Sequence, residues 1–292
     1  MKDKIAFCIC TNNRKQKLKK NLSSIKNLND FKKFNVEIIL ISNDKLNYKK
    51  ILNFFSRNLK IRFLRENISG VSYSRNKILE ILRTEKLRYA AFIDDDCIVS
   101  KNWLISMINM LKKKNADIIT GPQISKSVNI LLKLMERHQS HEMKTNWAST
   151  NNVFLKVSAL RNKIIFSNKL NYVGGEDQLF FLNLNKLGKK IFWNSEAPVF
   201  EMNNKKRENF KWFIKRNLRY GTSAVIIYKS LYGNVVGYFV LFIKLINDLK
   251  RLAICMIKSL FFSKKNFYLF IMYKMRVIGL LIGLLGFQIK EY

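Results

Sequence analysis

Three consecutive carboxylates, Asp94, Asp95 and Asp96, directly follow the apolar run Tyr89–Ile93. Like charges this close together are unfavourable unless a cation lies among them. The chain holds only 20 acidic residues against 54 basic ones, so three acids together at a strand end are not expected by chance. Aspartate also suits a solvated turn or a helix N-terminus. Taken alone, the triplet indicates either a metal site or a turn.

The elements that must position this triplet can be predicted from the apolar pattern. Four short apolar runs are typical of buried strands: Ile5–Cys10, Val36–Ile41, Ile61–Leu64 and the run that ends at Asp94. Helical spacing follows each of the first three: after Arg14, over 48–56 and over 72–83. This alternation predicts an α/β fold with a mostly parallel sheet, whose ligands bind beyond the carboxyl ends of the strands. Four polar residues fall at those ends and are expected to line one crevice: Asn12, Asp44, Asn67 and Asp94.

The second half of the chain is less regular. It predicts a helix over Trp103–Leu111, and a helix over 177–187 that stops at Gly188. Three further strands are predicted: Ile118–Gly121, Val153–Leu155 and Lys190–Trp193. From Lys205 onward the chain is predicted to be wholly helical.

Six short motifs resemble, in matching order from Ile5 to Gly221, those of family 2 glycosyltransferases of the GT-A type, which are inverting nucleotide-diphospho-sugar transferases. The motifs are Thr11-Asn12-Asn13-Arg14; Asp44; Asn67-x-x-Gly70-x-Ser72-x-x-Arg75-Asn76; Asp94-Asp95-Asp96; Gly175-Glu176-Asp177; and Arg216-x-x-Arg219-x-Gly221. Each motif alone is a weak signal, and six in order are a strong one. The resemblance implies a GT-A (Rossmann-like) sheet flanked by helices, followed by a C-terminal amphipathic helical region.

The resemblance also implies a set of residues that bind the nucleotide-sugar donor. These are Thr11, Asn12, Arg14, Asp44, Asn67, Gly70, Arg75, Asn76, Asp94 and Asp95. Asp44 would accept hydrogen bonds from the base or the ribose, although an Asx turn explains an aspartate here equally well. Arg75 would contact phosphate or brace the acidic triplet.

The same resemblance implies a divalent metal, Mn²⁺ or Mg²⁺, between the triplet and the donor diphosphate. Asp94 and Asp96 lie on one side if the segment is extended, whereas Asp95 points away. Hard carboxylate oxygens suit both ions. Glu201 stands where the family often has a histidine ligand, which makes it the candidate third ligand.

Inversion requires a base opposite the leaving group, and Asp177 resembles the family's catalytic base. A carboxylate can accept the proton of an attacking hydroxyl, and an aspartate at this point can also cap the helix that follows. Glu176 is predicted to orient the acceptor. Arg216 and Arg219 are predicted to contact the diphosphate or the acceptor, or to be a solvated pair on one helix face.

The formal charge of +34 allows several partners. A basic surface suits nucleic acid or an anionic membrane, and it can also reflect compositional bias. The aromatic and basic residues of 210–220 carry no recognisable RNA-binding signature, so no nucleic-acid partner is expected. Four cysteines without zinc-like spacing, and an N-terminus unlike a signal peptide, predict a cytoplasmic protein.

The tail over 230–292 is rich in large apolar residues, but its uncharged stretches fall short of a spanning helix. Lys244, Arg251 and Lys258 recur every seven residues, which predicts a polar stripe on an apolar helix that lies in a membrane interface. A helical bundle on the catalytic domain, a homodimer interface or a spanning hairpin are the alternatives. The predicted division is therefore 1–204 as the catalytic domain, 205–229 as a segment that closes the site, and 230–292 as a membrane-associating tail.

Together these features predict an inverting transferase on the inner face of the cell membrane. Its donor is a nucleotide-diphospho-sugar, expected to be a UDP-sugar. Its acceptor is a glycan or lipid-linked glycan of surface polysaccharide or lipopolysaccharide synthesis. The alternatives are a nucleotidyltransferase, which would need a glycine-rich loop after the first strand, and a non-enzymatic protein that binds nucleic acid or lipid.

Overall fold

The computed structural model describes residues 2–203, 205–260 and 263–290. They form two compact units. The first contains the chain up to Lys126, then Glu136–Phe166 and Phe180–Met202. The second contains Ser127–Met135, Ser167–Leu179 and the chain from Asn203 onward.

The strands of the structure lie in the first unit. They are β1 (Lys4–Thr11), β2 (Asn35–Ser42), β3 (Lys60–Arg65), β4 (Tyr89–Ile93), β5 (Cys97–Val99), β6 (Ile118–Thr120), β7 (Gln123–Ser125), β8 (Lys144–Thr145), β9 (Asn152–Lys156), β10 (Ile191–Trp193) and β11 (Val199–Glu201). The α-helices of both units are α1 (Lys15–Lys26), α2 (Lys49–Ser56), α3 (Val71–Thr84), α4 (Trp103–Lys113), α5 (Ile130–Lys133), α6 (Glu176–Lys186), α7 (Phe210–Tyr232), α8 (Asn234–Ser259) and α9 (Lys264–Leu284).

The main sheet has the strand order β3-β2-β1-β4-β9-β6-β10-β8. The pairs among β3, β2, β1 and β4 are parallel, as is the pair of β6 with β10. Strand β9 runs antiparallel to both β4 and β6, and β8 runs antiparallel to β10. The predicted α/β fold is confirmed, with a parallel half that places the carboxyl ends of β1, β2 and β4 at the same edge.

The core explains why the first strands are apolar on both faces. Helices cover both faces of the sheet, so Ile5 to Ile9 of β1 and all of β4 are buried. On one face Phe7 packs against Trp103 of α4, with ring centroids 5.8 Å apart. On the other, Ala6 and Cys8 join the apolar side of α3. The triplet thus follows a strand that is fixed on both sides.

A small second sheet, which the apolar pattern did not predict, lies beside the triplet. It has the order β5-β11-β7 and strands of three residues each. Strand β11 pairs antiparallel with β5, which places Glu201 opposite Cys97. The amide of Met202 donates to the carbonyl of Asp96, at 2.8 Å.

In the second unit, α7 and α9 approach so closely that side chains are excluded. A Cβ on Gly221 would lie 2.4 Å from the carbonyl oxygen of Arg276, and one on Gly279 would lie 2.1 Å from that of Leu218. Among the described residues, α9 is the helix long and apolar enough to cross a membrane by length and composition. Its Gly279-x-x-x-Gly283 face is already used for packing on α7.

Part of the polar stripe of α8 makes contacts within this unit. Asp248 is buried and accepts from Lys244 at 2.8 Å, and the guanidinium of Arg251 lies 5.8 Å from the ring centroid of Tyr273 on α9. Large apolar side chains point outward instead, with Phe239 64% and Phe242 59% exposed. Arg251 and Lys258 of the predicted polar stripe are exposed, whereas Lys244 is half-buried. Helix α8 thus pairs Lys244 with Asp248 and exposes a row of large apolar side chains.

Candidate active site

The first part of the site is the end of β2, where Asp44 is fixed by protein donors. Its Oδ2 accepts from the amide of Asn13 at 2.6 Å and from the hydroxyl of Tyr48 at 2.7 Å. Its Oδ1 accepts from the amide of Leu46 at 2.7 Å, which is the Asx turn that the sequence allowed. Burial raises the pKa of this carboxyl, but these hydrogen bonds outweigh it and lower the pKa below the usual value. Asp44 is therefore an ionised hydrogen-bond acceptor whose orientation is fixed by protein donors.

A neighbouring residue, Asn43, was missed by the sequence analysis. Its side-chain amide donates to the carbonyls of Glu66 and Ile68, and its Oδ1 accepts from the amide of Gly70 at 2.6 Å. Asn43 thereby closes the loop that carries the exposed Asn67 and starts α3. An asparagine directly after a strand is common in turns, so its type alone gave no distinguishing signal.

The triplet itself lies in a turn, and two of its carboxylates share one arginine. Asp95 accepts from the Thr11 hydroxyl at 2.7 Å, and its Oδ1 accepts from Arg14 Nη1 at 3.1 Å. The same Nη1 lies 3.0 Å from Oδ2 of Asp96, and Lys17 Nζ lies 3.6 Å from that oxygen. The backbone amide of Cys97 donates to the carbonyl of Asp94 at 3.0 Å, so the segment forms a turn and is not extended. Consecutive residues therefore need not point to opposite sides, and Asp95 and Asp96 contact the same guanidinium.

Two carboxylates of this cluster are buried, and burial raises the pKa of one of them. Asp95 and Asp96 are 3% and 2% exposed. Burial raises the pKa of Asp95 to about 7, with Arg14 and the Thr11 hydroxyl opposing the rise and the neighbouring aspartates adding to it. Burial lowers the pKa of Arg14, but Asp95 and Asp96 outweigh it and raise that pKa. The two buried carboxylates of the triplet are thus paired with the positive charges of Arg14 and Lys17.

Asp94 is the accessible member, with its side chain 38% exposed. Arg75 Nη2 lies 3.5 Å from its Oδ1, and the guanidinium lies 5.7 Å from the ring centroid of Phe166. Asn76 exchanges hydrogen bonds with the backbone of Phe166 in both directions, at 2.8 and 2.9 Å. In this structure Arg75 braces Asp94, and Asn76 anchors the chain at Phe166.

These residues fit a divalent ion that takes most of its ligands from the substrate. Across 2–203, 205–260 and 263–290, the side chains of histidine, cysteine, aspartate and glutamate form no group of three that could enclose a metal. Mg²⁺ and Mn²⁺ at phosphate sites need only one or two carboxylates, the rest being phosphate oxygens and waters. Asp94 presents such an oxygen, and Oδ2 of Asp96 is ion-paired with Arg14 and Lys17.

In the second unit, a double-glycine turn positions the predicted base. Gly174 and Gly175 have φ angles of +79° and +93°, a left-handed region that favours glycine. They lead into α6, which begins with Glu176 and Asp177, and carboxylates in a first turn are stabilised by the helix dipole. Glu176 is buried, whereas Asp177 is partly exposed and its Oδ1 accepts from the amide of Gln178 at 2.7 Å.

Arg219 supports this turn from α7. It is 3% exposed, and a Cβ on Gly174 would lie 3.0 Å from its Nη1. Arg216 is more open: its Nε donates to the Tyr220 hydroxyl at 3.0 Å and its guanidinium stacks over the Trp212 ring. The structure thus gives the two predicted arginines different surroundings.

Comparisons with known proteins agree with this architecture. The family model described as Glycosyl transferase family 2 matches residues 6–170. A relative, the succinoglycan biosynthesis protein ExoM of Rhizobium meliloti (strain 1021), is 28% identical over 163 residues, which are 52% of this chain and 51% of the relative. The chain thus spans about half the length of that curated relative.

Two solved structures share the fold at low identity. The mannosyltransferase PcManGT from Pyrobaculum calidifontis, in complex with GDP-Man and Mn²⁺, is 11% identical, with a TM-score of 0.65 over 98% of this chain and 88% of its own. S. aureus TarS 1-349 in complex with UDP-GlcNAc is 14% identical, with a TM-score of 0.56 over 77% of this chain and 66% of its own. Both are GT-A glycosyltransferases. With a family model that covers more than half of its length, this chain belongs to glycosyl transferase family 2.

Proposed function

We propose that this glycosyltransferase transfers a sugar, with inversion, from a nucleotide-diphospho-sugar to a hydroxyl of a glycan or lipid-linked glycan in surface polysaccharide synthesis. The observation that supports it best is the edge of the main sheet where β1, β2 and β4 end. There the carboxylate of Asp44, fixed by protein donors, follows β2, and the accessible carboxylate of Asp94, braced by Arg75, follows β4; these two strands flank β1. Open α/β sheets bind nucleotides at such edges.

Each donor-side residue has a role that suits its surroundings. Asp44 accepts a hydrogen bond from the base or ribose, with Thr11, Asn12 and Asn67 beside it at the strand ends. Arg75 contacts phosphate. The neighbouring predicted donor-binding residues hold the walls of the site: Arg14, Gly70, Asn76 and Asp95. A UDP-sugar is the expected donor.

Asp94 and Asp96 would hold Mg²⁺ or Mn²⁺, with Glu201 as a third candidate beside them. The ion, when bound, neutralises negative charge on the departing nucleoside diphosphate. Binding through Asp96 Oδ2 requires that Arg14 and Lys17 give up that oxygen, and the side chain of Asp94 is 38% exposed.

The acceptor-side chemistry is assigned to Asp177. The acceptor oxygen attacks the anomeric carbon from the face opposite the diphosphate, and the bond from that carbon to the diphosphate oxygen breaks. Its electron pair leaves with the nucleoside diphosphate, and the hydroxyl proton passes to the Asp177 carboxylate. Glu176 orients the acceptor, and Arg216 and Arg219 support negatively charged groups on either substrate.

We also propose that the enzyme works as a peripheral protein on the cytoplasmic face of the membrane. The support is the outward apolar face of α8, which we call the α8 outer face: Phe239, Phe242, Ile243, Leu249, Ile254 and Ile257. Lysines flank this helix region in a chain of net charge +34, and anionic lipid attracts such a surface.

A donor panel tests the transfer. Purified protein with Mn²⁺ is given UDP-glucose, UDP-galactose, UDP-N-acetylglucosamine and GDP-mannose in turn, with extracted membranes as the acceptor source, and release of nucleoside diphosphate is measured. We expect turnover with one donor and a loss of about 10²–10⁴-fold for Asp177→Asn. Asp94→Asn is expected to lose activity mainly through weaker donor binding.

Asp30→Asn is the matched control, because Asp30 pairs with the exposed Lys33 on the surface. It should retain full activity. Activity that is equal in all three variants and the wild type would refute the assigned site, and no turnover with any donor would refute the proposed reaction.

A further inference from the structure

Three arginines of the second unit surround the side chain of Tyr220. Arg216 donates to the Tyr220 hydroxyl at 3.0 Å, and its guanidinium carbon lies 5.0 Å from the ring centroid. Arg276, on α9, lies 5.5 Å from the same centroid. Arg219 adds a third positive charge close enough to act on the hydroxyl. Tyr220 is 37% exposed, so this cluster is open to a ligand.

Arg276 is fixed by an amide oxygen and an aromatic ring. Its Nε donates to Oδ1 of Asn217 at 2.9 Å, and it stacks over Tyr273 at 5.8 Å. Within the described part of the chain, no carboxylate oxygen lies within 4.0 Å of its guanidinium. Asp248 acts on it only at longer range and is bonded to Lys244. Among the described residues, the contacts of Arg276 are thus with an amide oxygen and aromatic rings, which leave its charge available to an anion.

The electrostatic effect is visible on Tyr220. Burial raises the pKa of its hydroxyl, but the charges of Arg216, Arg219 and Arg276 and the hydrogen bond from Arg216 outweigh it and lower that pKa. A site that favours a phenolate favours other anions. Guanidinium groups in a fixed orientation match phosphate oxygens in geometry as well as in charge.

The cluster is joined to the turn that carries the predicted base. Arg219 packs against Gly174, three residues before Asp177. An anion at Tyr220 would therefore belong to the substrate on which this turn acts. The outward apolar face of α8 belongs to the same unit and suits a lipid surface.

We infer that Tyr220, Arg216 and Arg276 form a binding site for a phosphate or diphosphate group carried by a lipid-linked acceptor. The inference rests on the proposed function for the role of the acceptor, and it gives Arg276 and Tyr220 a function that the sequence motifs did not. The site would hold the phosphorylated end of the acceptor and leave the glycan hydroxyl free to reach Asp177.

Pyrophosphate binding tests the site without turnover. Calorimetry with inorganic pyrophosphate is done on the full chain, without metal or nucleotide, and then with saturating UDP. We expect Arg276→Gln to weaken binding by about 10- to 100-fold, and Arg276→Lys to restore only part of it because the fork geometry is lost. Lys258→Gln is the control: it removes an exposed positive charge from α8 of the same unit and should leave affinity unchanged.

The arms of the experiment separate the sources of the phosphate. Two results together support the acceptor site. Pyrophosphate binding persists when UDP is present. Phosphatidylcholine vesicles with 20 mol% phosphatidic acid compete with pyrophosphate more strongly than vesicles with the same share of phosphatidylglycerol do. Exclusion by UDP, together with weaker UDP binding in Arg276→Gln, would assign the cluster to the donor and overturn the inference. So would unchanged affinity in Arg276→Gln, or absence of competition by both kinds of vesicle.

Folding and function are checked apart. Tyr220→Phe keeps the ring that both arginines stack on and removes the hydroxyl, so a several-fold loss of pyrophosphate affinity with an unchanged melting temperature supports a ligand role. Loss of pyrophosphate binding only in variants that also melt earlier would overturn it. A negative result here leaves sugar transfer to the donor panel untouched, and a failed donor panel leaves the binding data standing.

Discussion

Asp44 shows how a single residue can serve both fold and ligand. Three protein donors hold its carboxylate and lower its pKa, although burial acts the other way. A folded-state pKa below the unfolded value of about 3.9 stabilises the protein above that pH. The contribution is lost as the pH falls through the folded-state pKa. It is therefore fully present at neutral pH, where the donor would bind.

Tyr48→Phe tests this arrangement. The substitution removes the 2.7 Å hydrogen bond to Asp44, so the pKa of Asp44 should rise toward its usual value. We expect a loss of about 1.5–3 kcal/mol in the free energy of unfolding at pH 7. The difference from wild type should shrink below pH ~4, as Asp44 is protonated in the unfolded chain. Denaturant unfolding over a pH series measures this.

Tyr89→Phe is the control, since this buried tyrosine of β4 lies beside Arg88. Its effect should not shrink at acid pH in the same way. If Tyr48→Phe destabilises the protein equally at pH 7 and pH 3, then the hydroxyl does not act through Asp44.

The triplet shows what residue types alone could not predict. Its position after β4 and its place at the sheet edge followed from the sequence. The orientation of Asp95 did not, because the argument from alternation holds for an extended strand and the chain turns after Ile93. The pairing of Asp95 and Asp96 with Arg14 needs the loop after β1. That arginine is 81 and 82 residues away in sequence and is close only in the fold.

At the scale of elements, the local apolar pattern predicted those strands and helices that bury their own apolar residues. The first four strands and helices α1 to α4 are found within a few residues of their predicted bounds, since each buries a run or a stripe of apolar residues. Strands β5, β7 and β8 were not predicted, because two or three residues carry no period. Their pairing depends on partners distant in sequence. The third candidate metal residue, Glu201, therefore acquired its position only in the structure.

The packing of α7 on α9 gives a prediction at this scale. Gly→Ala inside a helix normally stabilises it by about 1 kcal/mol. Gly279→Ala should do the reverse here, by about 1–3 kcal/mol or more, because its Cβ would lie 2.1 Å from the carbonyl oxygen of Leu218. Thermal unfolding of the full chain measures the effect.

Ser230→Ala, at an exposed position of α7, is the matched control and should change stability little. Because α9 also carries Arg276, Gly279→Ala should weaken pyrophosphate binding as the two helices move apart. A stabilised Gly279→Ala protein would mean that the helices do not pack in this way.

At the scale of the whole molecule, charge and apolar surface point to the same partner. The formal charge is +34, and α8 exposes a row of large apolar side chains. An oligomer interface would account for the apolar face but gains nothing from so large a positive charge, which repels a second copy. Binding to an anionic bilayer would be favoured both by the positive charge and by insertion of the apolar side chains.

Vesicle binding at two salt concentrations separates the two contributions. At 1 M salt the Debye length is about 3 Å, so attachment by charge alone should be lost. We expect the wild type to sediment with phosphatidylglycerol vesicles at 0.1 M and at 1 M salt, since inserted phenylalanine side chains contribute about 1.5–3 kcal/mol each.

A double variant, Phe239→Gln with Phe242→Gln, should bind at 0.1 M but about a hundredfold more weakly at 1 M. Ile165→Gln with Leu187→Gln, two apolar side chains of the first unit that are 53% and 55% exposed, should bind as the wild type does. If the α8 variant keeps its vesicle affinity at 1 M salt and instead converts a dimer into a monomer, then the α8 outer face is a subunit interface and the membrane assignment is wrong.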